Sequence, residues 1–383
     1  MLTGRLPSQH RVNPLGTSVL GSEQTSVAEV LADAGYDTGA VVSNPVLLAS
    51  RRLDQGFRHY DDRMTRPEQN RPQLHERTAE ATTQAALEFI AAAAEPWFLW
   101  VHYQDPHGPY APPETGPPTD PPGEEPLPLL RHHSGYGGIP AYQALEGART
   151  ARAYERAYTD EVRYLERHVG ALLDLIERRY QPFLVVTSDH GEAFGEDDYW
   201  FAHGHSLGLD QIRVPLWVRA PETGSAEEVQ ARVEPRPIST AGVAATLIRA
   251  AGLTIPSEFT APPIPFRADD QAPFPAEVVA EHEARLAVVI GNQYYARDRA
   301  TFSPGRRDAV SGGVVWPFPP RTCELGTDGR ASAYLERSPG RLASALAQHE
   351  AQEDASPESA GEPTGARLPR FQRSALEALG YLE

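Results

Sequence analysis

The chain has 383 residues, 52 acidic and 35 basic, and its net charge of −17 argues against a nucleic-acid or polybasic-lipid partner. At 40% apolar and 23% charged residues it has ordinary globular composition and ample material for a core. All 35 basic residues are Arg, which removes lysine-based chemistry, and a single cysteine, Cys323, excludes an intrachain disulfide or a cysteine-cluster metal site.

The opening MLTGRLPSQH has no hydrophobic signal core, and no apolar run approaches the roughly 18 residues of a membrane span. As written the chain reads as cytoplasmic, or as exported if a signal peptide lies upstream of Met1. Ser26 to Gly35 predicts a short amphipathic helix stopped at glycine, and Thr38 to Ser43 a buried strand. His75 to Ala94 is an Ala- and Glu-rich helix that Pro96 stops, followed by the buried strand Trp97 to Tyr103. Eight prolines between positions 112 and 128, then HHSGYGG, rule out regular structure there. Tyr142 to Arg179 carries apolar residues at steps of three and four, the mark of a long helix. Phe183 to Ser188 reads as the central strand, Val214 to Arg219 as another, and Thr240 to Ala251 as a helix. Ala276 to Glu281, Leu286 to Ile290 and Asn292 to Ala296 look like short antiparallel strands. Gln348 to Arg367 reads as disordered, and Ala375 to Tyr381 as a closing helix.

This alternation is that of an α/β fold, a mostly parallel central sheet sandwiched by helices with a small antiparallel C-terminal subdomain. The expected units are a core over 1–265, the subdomain over 266–346 and an acidic Pro/Ser-rich tail over 347–383. In such sheets reactive residues sit just past the carboxyl ends of strands. TSDHGEAFGE, directly after the central strand, offers Asp189 as a hard oxygen, His190 as an imidazole and Gly191 for a sharp turn. In AHGHSLGLD, His203 and His205 flank Gly204; they either face one site together or are two solvated loop histidines. At the end of Trp97 to Tyr103, His102, Asp105 and His107 converge on one strand terminus, unless that segment is an ordinary proline-stiffened turn. His132 and His133 read as residues of the irregular excursion, and Cys323 as a structural thiol.

Taken together these stretches resemble the sulfatases of the alkaline phosphatase superfamily. MLTGRLPSQHRV is similar to the family's Leu-Thr-Gly-Arg segment, and SVAEVLADAGYDTGAVVSN with DQGFRHYDD to its next helix and strand. FLWVHYQDPHGPYAPP resembles the Asp-Pro-His-x-Pro-Tyr block, and YTDEVRYLERHVGALLDLI, VVTSDHGEAFGE and HGHSLGLDQIRVPL follow in family order. The closing SALEALGYLE resembles the ending of bacterial members. The resemblance implies a metal-dependent hydrolase of sulfuric esters, acting on a small-molecule or carbohydrate sulfate ester. A divalent metal, Ca2+ first with Mn2+ or Zn2+ as alternatives, would be held partly by Asp189 and His190. His107 and His205 would act on the sulfate or leaving-group oxygens, with Asp105 and His203 binding substrate or orienting the others.

The chain also departs from the family. The family's nucleophile and first-strand acidic ligands would precede Met1, which leaves open whether the chain as written is active. Its sulfate-binding lysines have no counterpart, and Ser43-Asn44 stand where many members carry Lys and His. Gly208 replaces the usual tyrosine, and Gly242 to Thr246 lacks the usual Asp and Pro. Two alternatives stay open: a phosphodiesterase, phosphonate hydrolase or phosphotransferase of the same superfamily acting on a phosphate ester, and an inactive remnant or binding protein.

Overall fold

A computed structural model describes residues 1–12, 19–131, 133–204, 206–221, 234, 236–266, 277–281, 285–299, 320–325 and 340–355. A four-residue helix, α1 (Pro7–His10), precedes α2 (Val27–Asp33). Ser26 caps α2 reciprocally: its Oγ accepts from the Glu29 N–H, and the Glu29 carboxylate accepts from the Ser26 N–H. Strand β1 (Asp37–Val41) follows, then β2 (His59–Asp61). Gly56, at φ +83°, lies against the start of α2, where a Cβ would stand 2.1 Å from the Glu29 nitrogen; only glycine allows the return to β2 to pass that close.

Strands β3 (Arg66–Pro67) and β4 (His75–Glu76) pair as a small antiparallel ribbon, so α3 (Ala79–Ala92) begins only at its Thr78 cap, four residues later than the composition predicts. Strand β5 (Trp97–Val101) then joins β1 and β2 in a parallel sheet of order β2-β1-β5, with Gly39 opposite both His59 and Leu99. The long helix α4 (Ala151–Arg179) starts at its Thr150 cap rather than at Tyr142. Asp120 accepts from the Arg149 and Thr150 N–H groups and holds the preceding chain out of the helix.

Strand β6 (Leu184–Thr187) is followed by the short α5 (Leu209–Ile212) and by β7 (Leu216–Arg219). Here the structure differs from the expected central strand: β6 pairs antiparallel with β7 as a separate two-stranded sheet. Its Leu184 nevertheless packs into the apolar cluster that holds Trp97 and Leu99 of β5, while Trp217 of β7 is 66% exposed. Packing rather than a hydrogen-bond ladder sets β6 beside the parallel sheet.

Helix α6 (Val243–Ala250) completes the layers. Trp97, Leu99 and Val101 join Ile90 of α3 and Leu172 and Ile176 of α4 on one face. Phe98 joins Val27 and Leu31 of α2 and Ala244 and Ile248 of α6 on the other. The period of two along β5 thus fills both halves of a helix–sheet–helix sandwich.

The C-terminal sheet is antiparallel, in the order β11-β10-β9-β8: β8 (Val278–Glu281), β9 (Arg285–Ile290), β10 (Gln293–Asp298) and β11 (Arg321–Glu324). Strand β11 was not foreseen, nor was α7 (Gly340–Ala355), which runs into the stretch expected to be disordered. Its Leu342, Ala345 and Leu346 pack under Leu286, Val288 and Tyr295, and that burial offsets the entropy of ordering a polar sequence. The expected closing helix at 375–381 lies outside the described residues. Cys323 is buried beside Leu207, Val289 and Tyr294.

Candidate active site

Two strand ends bring the chemistry together. After β6 the chain turns at Ser188, whose Oγ donates to the His190 carbonyl at 2.6 Å. Asp189 Oδ1 accepts from the His190 N–H at 3.0 Å and stands 3.8 Å from His190 Nε2. The loop beyond brings His203 back over His190, ring centroids 3.8 Å apart and planes at 23°. From the end of β5, the following loop places His107 against His203, centroids 5.2 Å apart. The structure therefore unites Asp189, His190, His203 and His107 in one cluster. His205 lies outside the described residues.

Each imidazole is tethered through the same atom. His107 Nδ1 meets the Gly108 carbonyl at 2.7 Å, His190 Nδ1 the Gly191 carbonyl at 2.7 Å, and His203 Nδ1 the Glu192 carboxylate at 3.1 Å. A carbonyl or carboxylate acceptor fixes the proton on Nδ1 and leaves Nε2 to face a ligand. Glu192 also accepts from the Tyr110 hydroxyl at 3.0 Å, which seats its carboxylate between the two loops.

Burial, then the neighbouring His203 and Arg71, push His107 well below the ordinary imidazole value. Burial and His203 likewise lower His190. His203 moves the other way: burial opposes its charge, but the Glu192 carboxylate outweighs it and raises the imidazole. Asp189 keeps more than half of its side-chain surface open, and His190, His102 and His203 outweigh local desolvation to hold its carboxyl below the usual range.

The resemblance read from the sequence implies a divalent metal, and the donors can be weighed against it. A carboxylate oxygen and an untethered imidazole Nε2, 3.8 Å apart on one strand end, suit such a cation. His102 Nδ1, buried and without a hydrogen-bond partner, belongs to the same neighbourhood, since its ring interacts electrostatically with Asp189 and His190. Among the described residues no third carboxylate or imidazole closes with Asp189 and His190 within 4.8 Å. The pair fits as part of a shell and falls short of the six to eight oxygens that Ca2+ takes.

A carboxylate–imidazole–carboxylate group lies elsewhere, at Glu281, His349 and Glu353. Its donors are already engaged. Glu281 accepts from the Ser8 N–H and Oγ, both at 2.8 Å, and from His349 Nε2 at 2.6 Å, while Glu353 is ion-paired to Arg299. The group joins α7 to β8 and α1.

Asp105 stands apart from the histidine edges, buried with its carboxyl toward α4. Glu192, the tether of His203, was missed because it is an ordinary acidic residue in the segment and only the tertiary return of the loop gives it a partner. Buried Arg71 was missed as well. Glu68 holds it bidentately and its guanidinium lies 4.7 Å over the Tyr142 ring, itself 6.0 Å from His107.

The chain matches the family model described as sulfatase over residues 1–253. No curated protein matches it. Among solved structures it resembles BT1596, a 2-O GAG sulfatase, at 16% identity and a TM-score of 0.62, covering 97% of this chain and 84% of that one. It also resembles BT4656, solved with its substrate D-glucosamine-2-N,6-O-disulfate, at 14% identity and a TM-score of 0.60, covering 94% and 88%. A phosphonate monoester hydrolase from Silicibacter pomeroyi is similar at 17% identity and a TM-score of 0.59, covering 92% and 84%. At these identities the likeness is one of fold.

Proposed function

Because the chain belongs to the sulfatase family, a family of hydrolases, we propose that it hydrolyses a sulfate ester at the histidine cluster beyond β5 and β6. The observation that carries this reading is the common tether: three clustered imidazoles, each anchored at Nδ1, keep their Nε2 atoms for a ligand. Charged His203 can donate to an oxyanion oxygen and pass a proton to a departing one, while the neutral His107 and His190 keep Nε2 lone pairs for a hydroxyl or a cation. Asp189 and His190 would contribute to holding a divalent cation, Ca2+ with Mn2+ or Zn2+ as alternatives. Such a cation would supply Lewis-acid polarisation of the transferring group.

The remaining roles belong to the chain's own residues. His203, with Glu192 supporting its charged form, holds a proton at Nε2 for the leaving-group oxygen. His107, kept neutral by burial with its proton on Nδ1, would offer its Nε2 lone pair to a hydroxyl of the substrate or of the attacking group. Glu192 and Tyr110 hold His203 still, and water exclusion by the buried loop strengthens each contact. Cys323 is buried in the C-terminal subdomain and is not at this cluster.

The test compares aryl sulfate, phosphonate monoester and phosphodiester turnover by the purified full chain with added Ca2+, Mn2+ or Zn2+. Faster turnover of the sulfate supports the reading. Faster turnover of the phosphonate moves the assignment to the alternative favoured by the likeness to the Silicibacter enzyme. Metal binding with no turnover of any ester would leave a binding protein and sink the proposal.

A further inference from the structure

Two buried carboxyls, Asp105 and Glu161, take no part in the chemistry proposed for the histidine cluster. Asp105 stands two residues before His107 in the same loop, and Glu161 projects from the middle of α4; they are 7% and 2% exposed. The charged groups around them are Arg66 and Glu76 of the β3–β4 ribbon, and the titratable ones Tyr103 and Tyr164. Arg66 is engaged with Glu76 at 2.8 Å, and Tyr103 bonds Thr83. As two carboxylates, Asp105 Oδ2 and Glu161 Oε2 are sealed from solvent with no donor to either oxygen. Two adjoining buried carboxylates without a cation repel in a low-dielectric setting, and each orphaned oxygen carries a desolvation cost. One proton removes both problems, because a neutral carboxyl donates to the ionised one.

We propose that Asp105 and Glu161 share one proton, and that this hydrogen bond makes Glu161 a positioning residue for the loop that presents His107. Glu161 holds the proton: burial first and the Asp105 charge second raise its carboxyl to about 9. Asp105 is also raised by burial, and the proton donated by Glu161 opposes that rise. In the native state Glu161 keeps a proton that the unfolded chain releases near pH 4.5. Unfolding therefore loses a proton over the interval up to about 9, and stability falls as pH rises through it.

The shared proton is a property of the fold; only its effect on substrate-group binding rests on the function proposed above. Thermal unfolding from pH 5 to 9.5 compares wild type with Glu161→Gln, whose amide still donates to Asp105 but does not titrate. The expected result is a Tm that declines with pH more steeply in wild type than in Glu161→Gln. Equal slopes would overturn the shared proton. Glu161→Ala, which leaves Asp105 buried and unpaired, should shift the His107 ring resonances in NMR spectra and weaken inorganic sulfate binding at least tenfold, with Glu161→Gln restoring both. Unmoved His107 resonances in Glu161→Ala would overturn the positioning role. If Glu161→Ala does not fold, Glu161→Gln decides alone: changed His107 resonances would refute a role carried by the donated hydrogen bond. Wild type that binds no inorganic sulfate would count against the proposed function, while the slopes and resonances still decide this inference.

Discussion

His190 and His203 stack nearly parallel at 3.8 Å, yet their Nδ1 atoms bond different acceptors, the Gly191 carbonyl and the Glu192 carboxylate. The charged Glu192 carboxylate outweighs burial and raises His203, whereas burial and the neighbouring His203 outweigh what the neutral Gly191 carbonyl contributes and lower His190. Divergent environments for neighbouring titratable groups are how one site obtains both a ligand base and a proton donor.

Glu192→Gln keeps a hydrogen-bonding side chain of the same length but removes the charge that supports protonated His203. Loss of such a tether lowers turnover by about 10- to 100-fold, against about 100- to 10,000-fold for His203→Ala. The measurement is kcat on an aryl sulfate beside a circular dichroism spectrum. Equal losses in the two variants would mean that Glu192 does more than hold the ring.

Asp189→Ala should lower both metal content and turnover, because its half-open carboxylate is one of only two candidate ligands on the β6 end. His107→Ala should lower turnover with metal content unchanged, its ring being tethered to Gly108 on the facing loop. Elemental analysis after dialysis checks both. Metal lost with His107→Ala, or retained with Asp189→Ala, would reverse the assignments.

Burial separates two large side chains of the layers. Ile248 is fully buried against α2, and its truncation to Ala should cost about 2–5 kcal/mol. Trp217 is 66% exposed on β7, and Trp217→Ala should stay within about 0.5 kcal/mol. Urea midpoints of the two variants test this, and a large loss at Trp217 would reveal a surface that is covered in solution.

The longer strands and most helices were legible because their burial is periodic in sequence: alternate residues of WFLWV fill opposite layers, and α4 repeats at three and four. That Asp189, His190 and His107 come together was legible for a related reason, since the apolar runs before them mark where neighbouring strands end. Glu192 and Glu161 were not, because an acidic residue declares nothing until a loop return or a helix packing gives it a partner. The pairing of β6 was misread since an apolar run specifies burial but not which edge it bonds. Helix α7 was hidden by its polar composition, because the buried apolar face it lays on the sheet is as small as Leu342, Ala345 and Leu346.

Those three residues are helped by the pair His349 and Glu281, 2.6 Å apart, which ties α7 to β8. The Glu281 hydrogen bond first, against burial, raises His349, so its contribution is complete below about pH 6.5 and fades as pH rises through the folded-state value. Glu281 is held below its ordinary value by His349 and Ser8 against burial, so its contribution is present above about pH 4.5 and fades as pH falls. The clamp is strongest where both are charged, around pH 5 to 6. His349→Gln should therefore lower Tm more at pH 6 than at pH 9, the loss of one charged hydrogen bond costing about 1.5–3 kcal/mol of stability at the lower pH. Amide hydrogen exchange in α7 should accelerate in parallel. A Tm difference that is the same at both pH values would mean that His349 packs in its neutral form and that the tie is not an ion pair.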